Sequence, residues 1–523
     1  DKVRDKLHLL AVPCEQPRTG AEQTLTGRYL LPRLEFEFAL HPSIGPNETS
    51  KVCQFVLTQS EVNGCAGDDL LLHQQRRTYL HFAADTERVD AVISSPLRCS
   101  IRGTRAHFDP LIVFRALIDL ANRLAFCIEG EQIEFAVLIH IGDGRDTCAD
   151  REGERLKFAF ASCQHYEAGF YTAYEHMARE DLDLVAHLGD YIYEGGPRNG
   201  GVRRHNGPEI VSLHDYRARY GLYKSDAALQ AAHAAAPWIV TWDDHEVENN
   251  YAAAIQQDPA DSTPEEFLLR RAAAYQAYYE NMPLRRTQLP SGPDMLLYRR
   301  LGFGRLASFN VLDTRQYRSD QPQGDGRKPP SEALLDPRGT LLGAQQRDWL
   351  FTGLAGSPAT WNILAQQVMM ARVDREAGPE VGVSMDQWPG YEFERRRVLK
   401  HCHDHKVKNP VVLTGDIHSN WANELIADFD RLDSKNVGVE FVGTSISTSG
   451  DGAVAPKTLP QLLSENPFVK FHNTERGYVR CEVTPQQWRS DYRTVPYVTR
   501  AGAPIATRAS FTVANGRPKL ERS

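Results

Sequence analysis

The sequence lacks the features that mark membrane-spanning and nucleic-acid-binding proteins. No apolar run reaches about 18 residues, so no membrane-spanning helix is predicted. The 60 basic and 68 acidic residues nearly balance, and the net charge of −8 argues against nucleic acid as an obligate partner. We find no internal repeat and no low-complexity segment. At 523 residues, the chain is long enough for two or three domains of about 150 residues each.

Cysteine is scarce beyond residue 150, where the chain has three of its nine cysteines. The other six could form disulfides in an exported protein or remain buried thiols, and both interpretations stay open. The chain opens on Asp1 with no apolar signal segment, so we expect a processed protein whose signal has been removed. The six early cysteines are Cys14, Cys53, Cys65, Cys99, Cys127 and Cys148.

The pattern of apolar residues changes near residue 150. Residues 28–38 and 77–82 alternate between apolar and polar side chains, and Gly, Pro and Asn separate such stretches. Residues 1–150 are therefore predicted to form a β-rich domain, although residues 111–126 have a helix-like pattern. Residues 151–523 alternate between strand and helix patterns, which predicts a second domain of the α/β class.

Several elements of the second domain are predicted individually. Thr263, Pro264 and Glu266 combine an N-cap, a proline at the first helical position and a capping-box glutamate. The spacing of Phe170, Tyr174 and Met177 predicts a helix between two strands, which makes a βαβ unit. Further predicted elements are a hairpin over residues 297–312, helices near 345–354 and 391–405, and paired strands at 478–483 and 489–495.

Five short apolar strands each stop on residues that can bind a metal or a substrate. Sheets of α/β proteins bind their ligands just beyond the carboxyl ends of the strands, so side chains from distant segments meet there. Acids, histidines and a cysteine in such positions predict a dinuclear hydrolytic metal centre. The five strands are residues 156–160, 184–188, 238–241, 363–365 and 411–414.

The second strand end contributes Asp190 and Tyr193. A carboxylate at this position can bridge two metal ions, and a tyrosine three residues later can reach one of them. Tyrosine has a pKa of about 10, so its ligation favours a strongly Lewis-acidic ion such as Fe³⁺. The alternative is a core tyrosine bonded to the backbone. At the first strand end, Cys163 could be a metal ligand, a nucleophile with His165 as base, or an inert thiol, and we favour ligation.

The third strand end has four polar residues in a row. We assign Asp244 to the second metal, and His245 to a hydrogen bond with a phosphoryl oxygen or the leaving group. Asp243 and Glu246 have an alternative role as caps of a helix N-terminus.

The fifth strand end has Asp416 and His418, two residues apart and therefore able to face one cluster. Asp416 suits an oxygen-preferring ion, and His418 suits iron or zinc. A second ion held mainly by carboxylates is predicted to be Ca²⁺, with Mg²⁺ or Mn²⁺ as substitutes.

Two further groups of side chains have residue types that bind phosphate or metal ions. Arg315 and Arg318 follow a strand and could clamp a phosphate in bidentate fashion, and the alternative is a pair of solvated salt bridges. The group His401, Cys402, His403 and His405 looks like a metal cluster. It falls in the last turn of a predicted helix, where imidazoles favourably face the helix dipole, so we do not predict a metal there.

These motifs, in this order, resemble the PhoD-like alkaline phosphatase D family of the calcineurin-like metallophosphoesterases, over residues 155–515. The family's N-terminal domain usually opens with strings that residues 1–150 do not contain. The strings that carry the resemblance are FAFASCQ at 158–164, HLGDYIYE at 187–194, TWDDHE at 241–246, DTRQYRSDQ at 313–321 and LTGDIHSN at 413–420.

The resemblance implies a four-layer α/β/β/α sandwich with a smaller N-terminal β-sandwich domain. It also implies Fe³⁺ and Ca²⁺, with Asp190 bridging them and Asp244 and Asp416 on calcium. Gln366 and Gln367 stand where the wider superfamily tends to have a histidine, which agrees with calcium, and Gln367 becomes a substrate-binding candidate together with Arg318. The implied iron ligands are Cys163, Asp190, Tyr193 and His418.

The expected function is a secreted or periplasmic bacterial phosphoester hydrolase, an alkaline phosphatase or phosphodiesterase that acts as a monomer. In-line attack on phosphorus by a metal-held hydroxide needs no phosphoenzyme. Arg315 would stabilise charge on the phosphoryl oxygens, and His245 would assist the leaving alkoxide. A calcium-dependent phospholipase D and a noncatalytic calcium-dependent binding protein are the alternatives.

Overall fold

The computed structural model describes residues 155–523, except residues 259, 377 and 456, together with six strands between residues 28 and 104. The chain divides into two compact units, residues 1–142 and 143–523. The helix-like stretch at residues 111–126 and the side chains of the six early cysteines lie outside the described residues.

The six strands of the first unit form one antiparallel sheet in which spatial order follows chain order. Strands β1, β2 and β4 lie where the alternating pattern predicts β structure, and the assignment of a β-sandwich stays a prediction. The strands are β1 (Arg28–Leu31), β2 (Leu34–Ala39), β3 (Lys51–Gln59), β4 (Arg76–Ala84), β5 (Arg88–Ser94) and β6 (Cys99–Thr104).

The second unit is a mixed α/β structure whose first sheet has seven strands in the order β22-β21-β20-β19-β7-β8-β9. Strands β7, β8 and β9 are parallel, and β19 pairs antiparallel with β7 and β20. The strands are β7 (Leu156–Ala161), β8 (Leu184–His187), β9 (Trp238–Val240), β19 (Arg476–Val483), β20 (Gln487–Val495), β21 (Ala506–Ala514) and β22 (Glu521–Arg522).

The second sheet also has seven strands, in the order β10-β11-β13-β15-β17-β16-β18. Its central strands β11, β13, β15 and β17 are parallel. The strands are β10 (Arg299–Phe303), β11 (Ala307–Val311), β13 (Trp361–Ala365), β15 (Pro410–Thr414), β16 (Asn420–Ile426), β17 (Asn436–Val442) and β18 (Val469–Asn473). Strands β12 (Arg327–Lys328) and β14 (Val383–Ser384) form a separate two-stranded pair.

The helices predicted within residues 151–523 are confirmed within a few residues. Thr263 caps the long helix reciprocally with Glu266, as the capping box predicts, because each backbone N–H bonds to the other side chain. The described helices are α1 (Thr172–Met177), α2 (Leu213–Lys224), α3 (Ala227–Ala235), α4 (Pro264–Asn281), α5 (Gly343–Ala355), α6 (Glu392–Asp404) and α7 (Leu459–Glu465). Among the described residues, no helix has both the length and the apolar character needed to cross a bilayer.

The inner faces of the two sheets share one apolar core. Phe158 of the first sheet meets Phe309 of the second edge-to-face, with ring centroids 5.4 Å apart. Trp361 and Trp488 make a similar contact at 5.7 Å. The alternation along a strand turns neighbouring side chains to opposite faces, which directs Phe158 into this core.

Helices cover the outer faces of both sheets. Helices α1 to α4 pack a core rich in tyrosine against the first sheet, with Tyr174, Tyr220 and Tyr275 fully buried. Helices α5 and α6 supply Leu350 and Val398 to a separate core against the second sheet. Both sheets are therefore packed on their inner and outer faces. This packing holds the strand ends, and with them the start of each loop that follows, in place.

Candidate metal centre

The loops after five parallel strands meet where the two sheets come together. Cys163 N–H donates to the carbonyl of Gly189 at 3.1 Å, and Gly415 N–H donates to the carbonyl of Gln367 at 2.8 Å. Ser162, after β7, pairs with Ser445, which follows β17 of the other sheet. The strand ends therefore converge as the sequence predicts for a ligand site in an α/β sheet.

Three groups of possible metal ligands overlap at this point. Each group has ligand atoms within 4.8 Å of one another. Asp190 belongs to the first two groups and Asp244 to the last two, so one continuous set of sulfur, nitrogen and oxygen donors runs across the site. The groups are Cys163 with Asp190 and His418, Asp190 with Asp244 and His245, and Asp243 with Asp244 and Asp416.

Three carboxylate oxygens in this set are buried without any hydrogen-bond partner. They are Oδ1 of Asp190, Oδ2 of Asp243 and Oδ1 of Asp244. Buried polar atoms are normally satisfied, because desolvation without a partner is costly. Metal cations at the site would satisfy all three oxygens, so the residues present fit the ions that the sequence implies.

Tyr193 points into the cluster and not toward the backbone. Its hydroxyl donates to Oδ2 of Asp190 at 2.8 Å, and lies 2.8 Å from Oγ1 of Thr448 and 3.5 Å from Nε2 of His418. The alternative of a core tyrosine bonded to the backbone is wrong for this structure. Burial and the nearby Asp190 carboxylate raise the pKa of Tyr193 well above its usual value, and a cation would act in the opposite direction.

Four of the candidate ligands have a left-handed backbone, which is uncommon for residues other than glycine. The φ angles are 60° at Cys163, 56° at Asp190, 57° at Asp416 and 55° at His418. Such a conformation costs about 1–3 kcal/mol and persists only where the surroundings enforce it. The turns after these strands are therefore strained at the residues whose side chains enter the cluster.

Two glycines let the strand ends approach each other. A Cβ at Gly189 would lie 2.5 Å from Cβ of Asp243, and Gly189 also has a φ of +106°. A Cβ at Gly415 would lie 2.6 Å from Oγ of Ser162. Both contacts are shorter than carbon atoms tolerate, so the glycine that precedes Asp190 and the one that precedes Asp416 permit the cluster to form.

Glu246 ties two of the loops together. Its buried carboxylate accepts backbone N–H groups from Asp190 at 3.0 Å, Tyr191 at 2.5 Å and Asp243 at 2.8 Å. Residues 244–250 form turns, so the alternative that Asp243 and Glu246 cap a helix is wrong. Glu246 therefore positions the candidate ligands through their backbone. Asp243 is itself one of the acidic groups of the cluster.

His245 is held in the cluster by a second carboxylate. Its Nδ1 lies 2.7 Å from Oε2 of Glu194, and its ring lies 4.2 Å from the ring of Tyr193. Burial lowers the pKa of His245, but the carboxylates of Glu194, Asp190 and Asp244 outweigh it and raise the pKa well above its usual value. The imidazole is therefore oriented and favoured in its protonated form.

Arg315 lies behind the acidic side chains and is fully buried. Its Nε donates to Asp243 at 2.5 Å, and its two terminal nitrogens donate to Asp386 at 3.0 and 2.9 Å. It also lies 3.5 Å from Asp244 and 3.6 Å from Asp416. The alternative of a solvated salt bridge is therefore wrong, because the guanidinium compensates a buried cluster of carboxylates.

Arg318 is also buried. It donates to the hydroxyl of Tyr391 at 3.0 and 2.9 Å and lies 3.0 Å from Asp386. The alternative of a solvated salt bridge is wrong here too. Its Nε and one terminal nitrogen already donate to protein groups, while Nη1 is buried without a hydrogen-bond partner.

The side-chain amide of Gln367 forms hydrogen bonds with other residues of the protein. Its amide donates to Oγ1 of Thr241 at 2.8 Å and to the carbonyls of Trp242 and Leu312, and its oxygen accepts from Thr314 at 2.8 Å. The side chain thereby connects the ends of three strands.

The geometry does not pair Cys163 with a base. Its Sγ lies 3.1 Å from Oγ of Ser162, while Nδ1 of His165 accepts a hydrogen bond from Glu167 N–H. Burial and the charge of Asp190 raise the pKa of the Cys163 thiol well above its usual value. A free thiolate nucleophile is disfavoured, and a thiolate stabilised by a cation fits better.

Two other clusters have local explanations. His165, Glu167 and His205 come close together, but Nδ1 and Nε2 of His205 already bond to Gly195 and Tyr223 at 2.8 and 3.0 Å. His401 lies at the end of α6, where its ring stacks on Phe351 at a centroid distance of 4.2 Å. Packing and hydrogen bonds account for these histidines.

Sequence reasoning missed several residues of the site. Gln387 donates to Asp416, and Asp386 binds both buried arginines, yet neither follows a predicted strand. The strand before them, β14, has two residues, too few for a periodic signal. Glu194 could have been found, because it follows Tyr193 directly in the conspicuous string at residues 187–194.

The protein is a mixed α/β structure in which side chains that can bind metal ions gather at the strand ends of two sheets. A family model for PhoD-like phosphatases matches residues 158–492. The chain belongs to the PhoD-like phosphatase family, so the resemblance inferred from the motifs is confirmed.

Two relatives agree with this membership. The chain is 55% identical to alkaline phosphatase D of Bacillus subtilis (strain 168) over 373 residues, which cover 70% of this chain and 64% of that protein. It therefore spans somewhat less than two thirds of the length of that relative. A solved structure of PhoD is similar with a TM-score of 0.69 and 45% identity, over 86% of this chain and 79% of that one.

Proposed function

We propose that the chain is a metal-dependent phosphoester hydrolase that acts on phosphomonoesters and phosphodiesters. One observation supports this most strongly: carboxylates shared between overlapping ligand groups have buried oxygens without partners. Hydrolysis at a dinuclear centre needs such a shared carboxylate. Membership of the PhoD-like family and the identity with an alkaline phosphatase D support the same activity.

The donor types suggest which ion each group would hold. Thiolate, phenolate and imidazole donors suit Fe³⁺, which we assign to Cys163, Asp190, Tyr193 and His418. Carboxylates suit Ca²⁺, with Mg²⁺ or Mn²⁺ as substitutes. We assign this ion to Asp190, Asp244 and Asp416, and Asp243 joins them as a new candidate. When bound, the ions supply the Lewis acidity that activates water and stabilises charge on the phosphoryl oxygens.

The chain's own residues would then orient the reaction. As the oxygen of a water molecule forms its bond to phosphorus, the bond from phosphorus to the leaving oxygen breaks in line. Nδ1 of His245 is held by Glu194, so Nε2 is the atom that we propose gives its proton to the leaving oxygen. No covalent phosphoenzyme is needed.

Arg315 contributes from behind the cluster. Its contacts with Asp243 and Asp386 suggest that it compensates the negative charge that remains on the carboxylates when the ions are bound. We therefore propose that Arg315 positions the acidic groups, a different role from the phosphate clamp expected from the sequence.

The proposal also covers the layers of the fold, the domains, the oligomeric state and the location of the protein. Helices outside two sheets that share an inner core support the four-layer α/β/β/α sandwich. We also propose that residues 1–150 form a β-rich domain and residues 151–523 the catalytic domain. The protein is proposed to be monomeric and secreted or periplasmic.

The test is turnover by the purified chain, loaded with Fe³⁺ and Ca²⁺, of a chromogenic phosphomonoester and its matched diester at alkaline pH. We expect turnover of at least one ester, and its loss with a chelator or in Asp190→Asn. Preferred release of phospholipid head groups would indicate the phospholipase D alternative. Calcium binding without turnover of any phosphoester would instead indicate the noncatalytic binding protein and contradict the proposal.

A further inference from the structure

The guanidinium of Arg375 is partly buried, and within the described part of the chain it has no carboxylate or hydrogen-bond partner. Its neighbours differ in this respect. Arg327 pairs with Glu376 at 3.0 Å, and Arg372 pairs with Asp430 at 2.5 Å. Removing a charge from water is costly unless a counter-charge compensates it. An arginine that forms no ion pair within the protein is therefore available to bind an anion from solvent.

The loop that carries Arg375 is firmly held. Oδ1 of Asp374 accepts the N–H groups of Glu376 at 3.0 Å and Gly382 at 2.9 Å, and Arg375 N–H donates to the carbonyl of Gly382 at 2.9 Å. Asn466 also bonds to both backbone groups of Asp374, at 2.8 and 2.9 Å. The position of Arg375 is therefore set by the fold.

The same loop leads directly into the wall of the acidic cluster. Gly382 is followed by strand β14 and then by Asp386 and Gln387. Asp386 binds Arg315 at 2.9 Å, and the side chain of Gln387 donates to Asp416. Arg375 thus stands on a loop that is continuous with the segment lining the Asp416 side of the centre.

Charge effects agree with that location. Burial lowers the pKa of Arg375 and Arg327 lowers it further, while the carboxylates of Asp416 and Glu376 act in the opposite direction. Burial, with a smaller effect from Arg375, lowers the pKa of His472 to about 4. The guanidinium therefore lies within the electrostatic range of both Asp416 and His472.

The cluster is open to solvent at Asp416 and His418. The exposed side-chain fraction is 29% at His418 and 18% at Asp416, but 2% at Asp190. A substrate would reach the centre from this side.

We propose that Arg375 is a substrate-binding residue whose guanidinium binds a non-bridging phosphoryl oxygen of a phosphomonoester on the Asp416 side of the centre. This inference rests on the proposed function. A guanidinium presents parallel N–H donors that match the oxygens of a phosphate. A phosphomonoester dianion has more negative charge than a diester monoanion, so Arg375 favours the monoester.

The test compares Arg375→Met, Arg375→Lys and Arg338→Met in the full, metal-loaded chain. KM and kcat are measured for a chromogenic monoester and its matched diester, together with the inhibition constant of inorganic phosphate. We expect R375M to raise KM for the monoester and the phosphate constant about 10-fold or more. KM for the diester should rise less, and R375K should recover part of the loss.

Arg338→Met is the control, because it removes an exposed cation that is already paired with Asp336 at 2.6 Å. We expect its kinetic constants to match those of the wild type. The inference is overturned if R375M leaves monoester KM and phosphate inhibition within twofold of the wild type, or if R338M causes an equal change.

Failure of the inference and failure of the proposed function are distinguishable. Wild-type turnover in the same assay tests the proposed function alone. If no ester is hydrolysed, calorimetric binding of inorganic phosphate to the wild type and R375M still decides the role of Arg375. Should R375M fail to fold, R375K serves for the same comparison, because Lys keeps the charge but loses the bidentate geometry.

Discussion

The hydroxyl of Tyr193 donates a hydrogen bond to Oδ2 of Asp190 at 2.8 Å, so two residues three positions apart in the chain meet inside one cluster. Asp190 has a left-handed backbone with a φ of 56°, which turns the chain sharply after β8. A straight strand would send residues 190 and 193 to opposite faces, because side chains alternate. The turn is what brings the carboxylate and the phenol together.

Replacement of Tyr193 by Phe should abolish any visible phenolate-to-iron absorption in protein loaded with Fe³⁺. The lost hydrogen bond to Asp190 should cost about 1 kcal/mol of unfolding free energy. Tyr191→Phe is the control, because that hydroxyl lies 2.8 Å from Nε2 of His233, in a different hydrogen-bonded pair. A band that survives in Y193F but disappears in Y191F would contradict the ligand assignment.

Gly189→Ala should destabilise the protein by about 2 kcal/mol or more, because the new Cβ would meet Asp243 and a positive φ would become strained. Gly195→Ala is the control within the same loop, since a Cβ there meets nothing within 4 Å and no positive φ is required. Urea unfolding of both variants measures the difference. Equal stabilities would show that the approach of the two loops does not depend on Gly189.

Glu246→Gln should lower both stability and metal content. A neutral amide has one acceptor oxygen where the carboxylate has two, and three backbone N–H groups converge on it. The expected loss is about 1–3 kcal/mol of unfolding free energy. Glu248→Gln should have a smaller effect, since Glu248 lies 3.4 Å from Arg270 at the edge of the same turn. Metal analysis and urea unfolding of the two variants give the comparison.

Calcium should stabilise the metal-free protein against heat. Asp190, Asp243, Asp244 and Asp416 repel one another, and each of the first three has a buried oxygen without a hydrogen-bond partner. A site at about 100 times its Kd adds about 2.7 kcal/mol. The Tm with Ca²⁺ should exceed the Tm in monovalent salt of the same ionic strength. If the two salts act alike, the acidic cluster does not bind the ion.

Acidification should destabilise the protein in part through His233. Burial, with the nearby Lys224 and His187, lowers the pKa of His233 from 6.5 to about 3. The unfolded state then binds a proton below pH 6.5 that the folded state refuses, so unfolding free energy falls as pH falls toward 3. The loss from this group is about 1.4 kcal/mol per pH unit.

The variant His233→Phe keeps a ring to stack on Trp238, whose centroid lies 3.8 Å from that of His233, but removes the proton acceptor. Urea unfolding at pH 7 and pH 5 should show a smaller acid loss in the variant, by about 2 kcal/mol. Comparing wild type and variant cancels the titration of all other groups. An identical pH dependence would mean that His233 is not buried as a neutral ring.

Local sequence signals predicted many elements because they depend on neighbouring residues. The capping box at Thr263 and Glu266 starts α4 as expected. The hairpin of β10 and β11 pairs Leu301 with Phe309 within the predicted range. Contacts of this kind close over short stretches of chain, so residue type and spacing suffice to identify them.

The buried partners of the two arginines could not be read from spacing. Arg315 meets Asp243 and Asp386, which are 72 and 71 residues away along the chain. Its position after a strand was visible, but the folded positions of its partners were not. The partners of Gln367 could not be read from spacing either, because its amide forms hydrogen bonds with groups from two other strand ends.

The sequence by itself determined the alternation of strands and helices, the location of polar residues at strand ends and the membership of the PhoD-like phosphatase family. These features lie in consecutive residues, where periodicity and motif strings can be read directly. Only the tertiary structure decided which donors share a cluster and which carboxylate oxygens lack a hydrogen-bond partner. Within the described residues, it also left the guanidinium of the partly buried Arg375 without an ion pair. Those properties depend on how two sheets bring distant loops together, and on the burial that results.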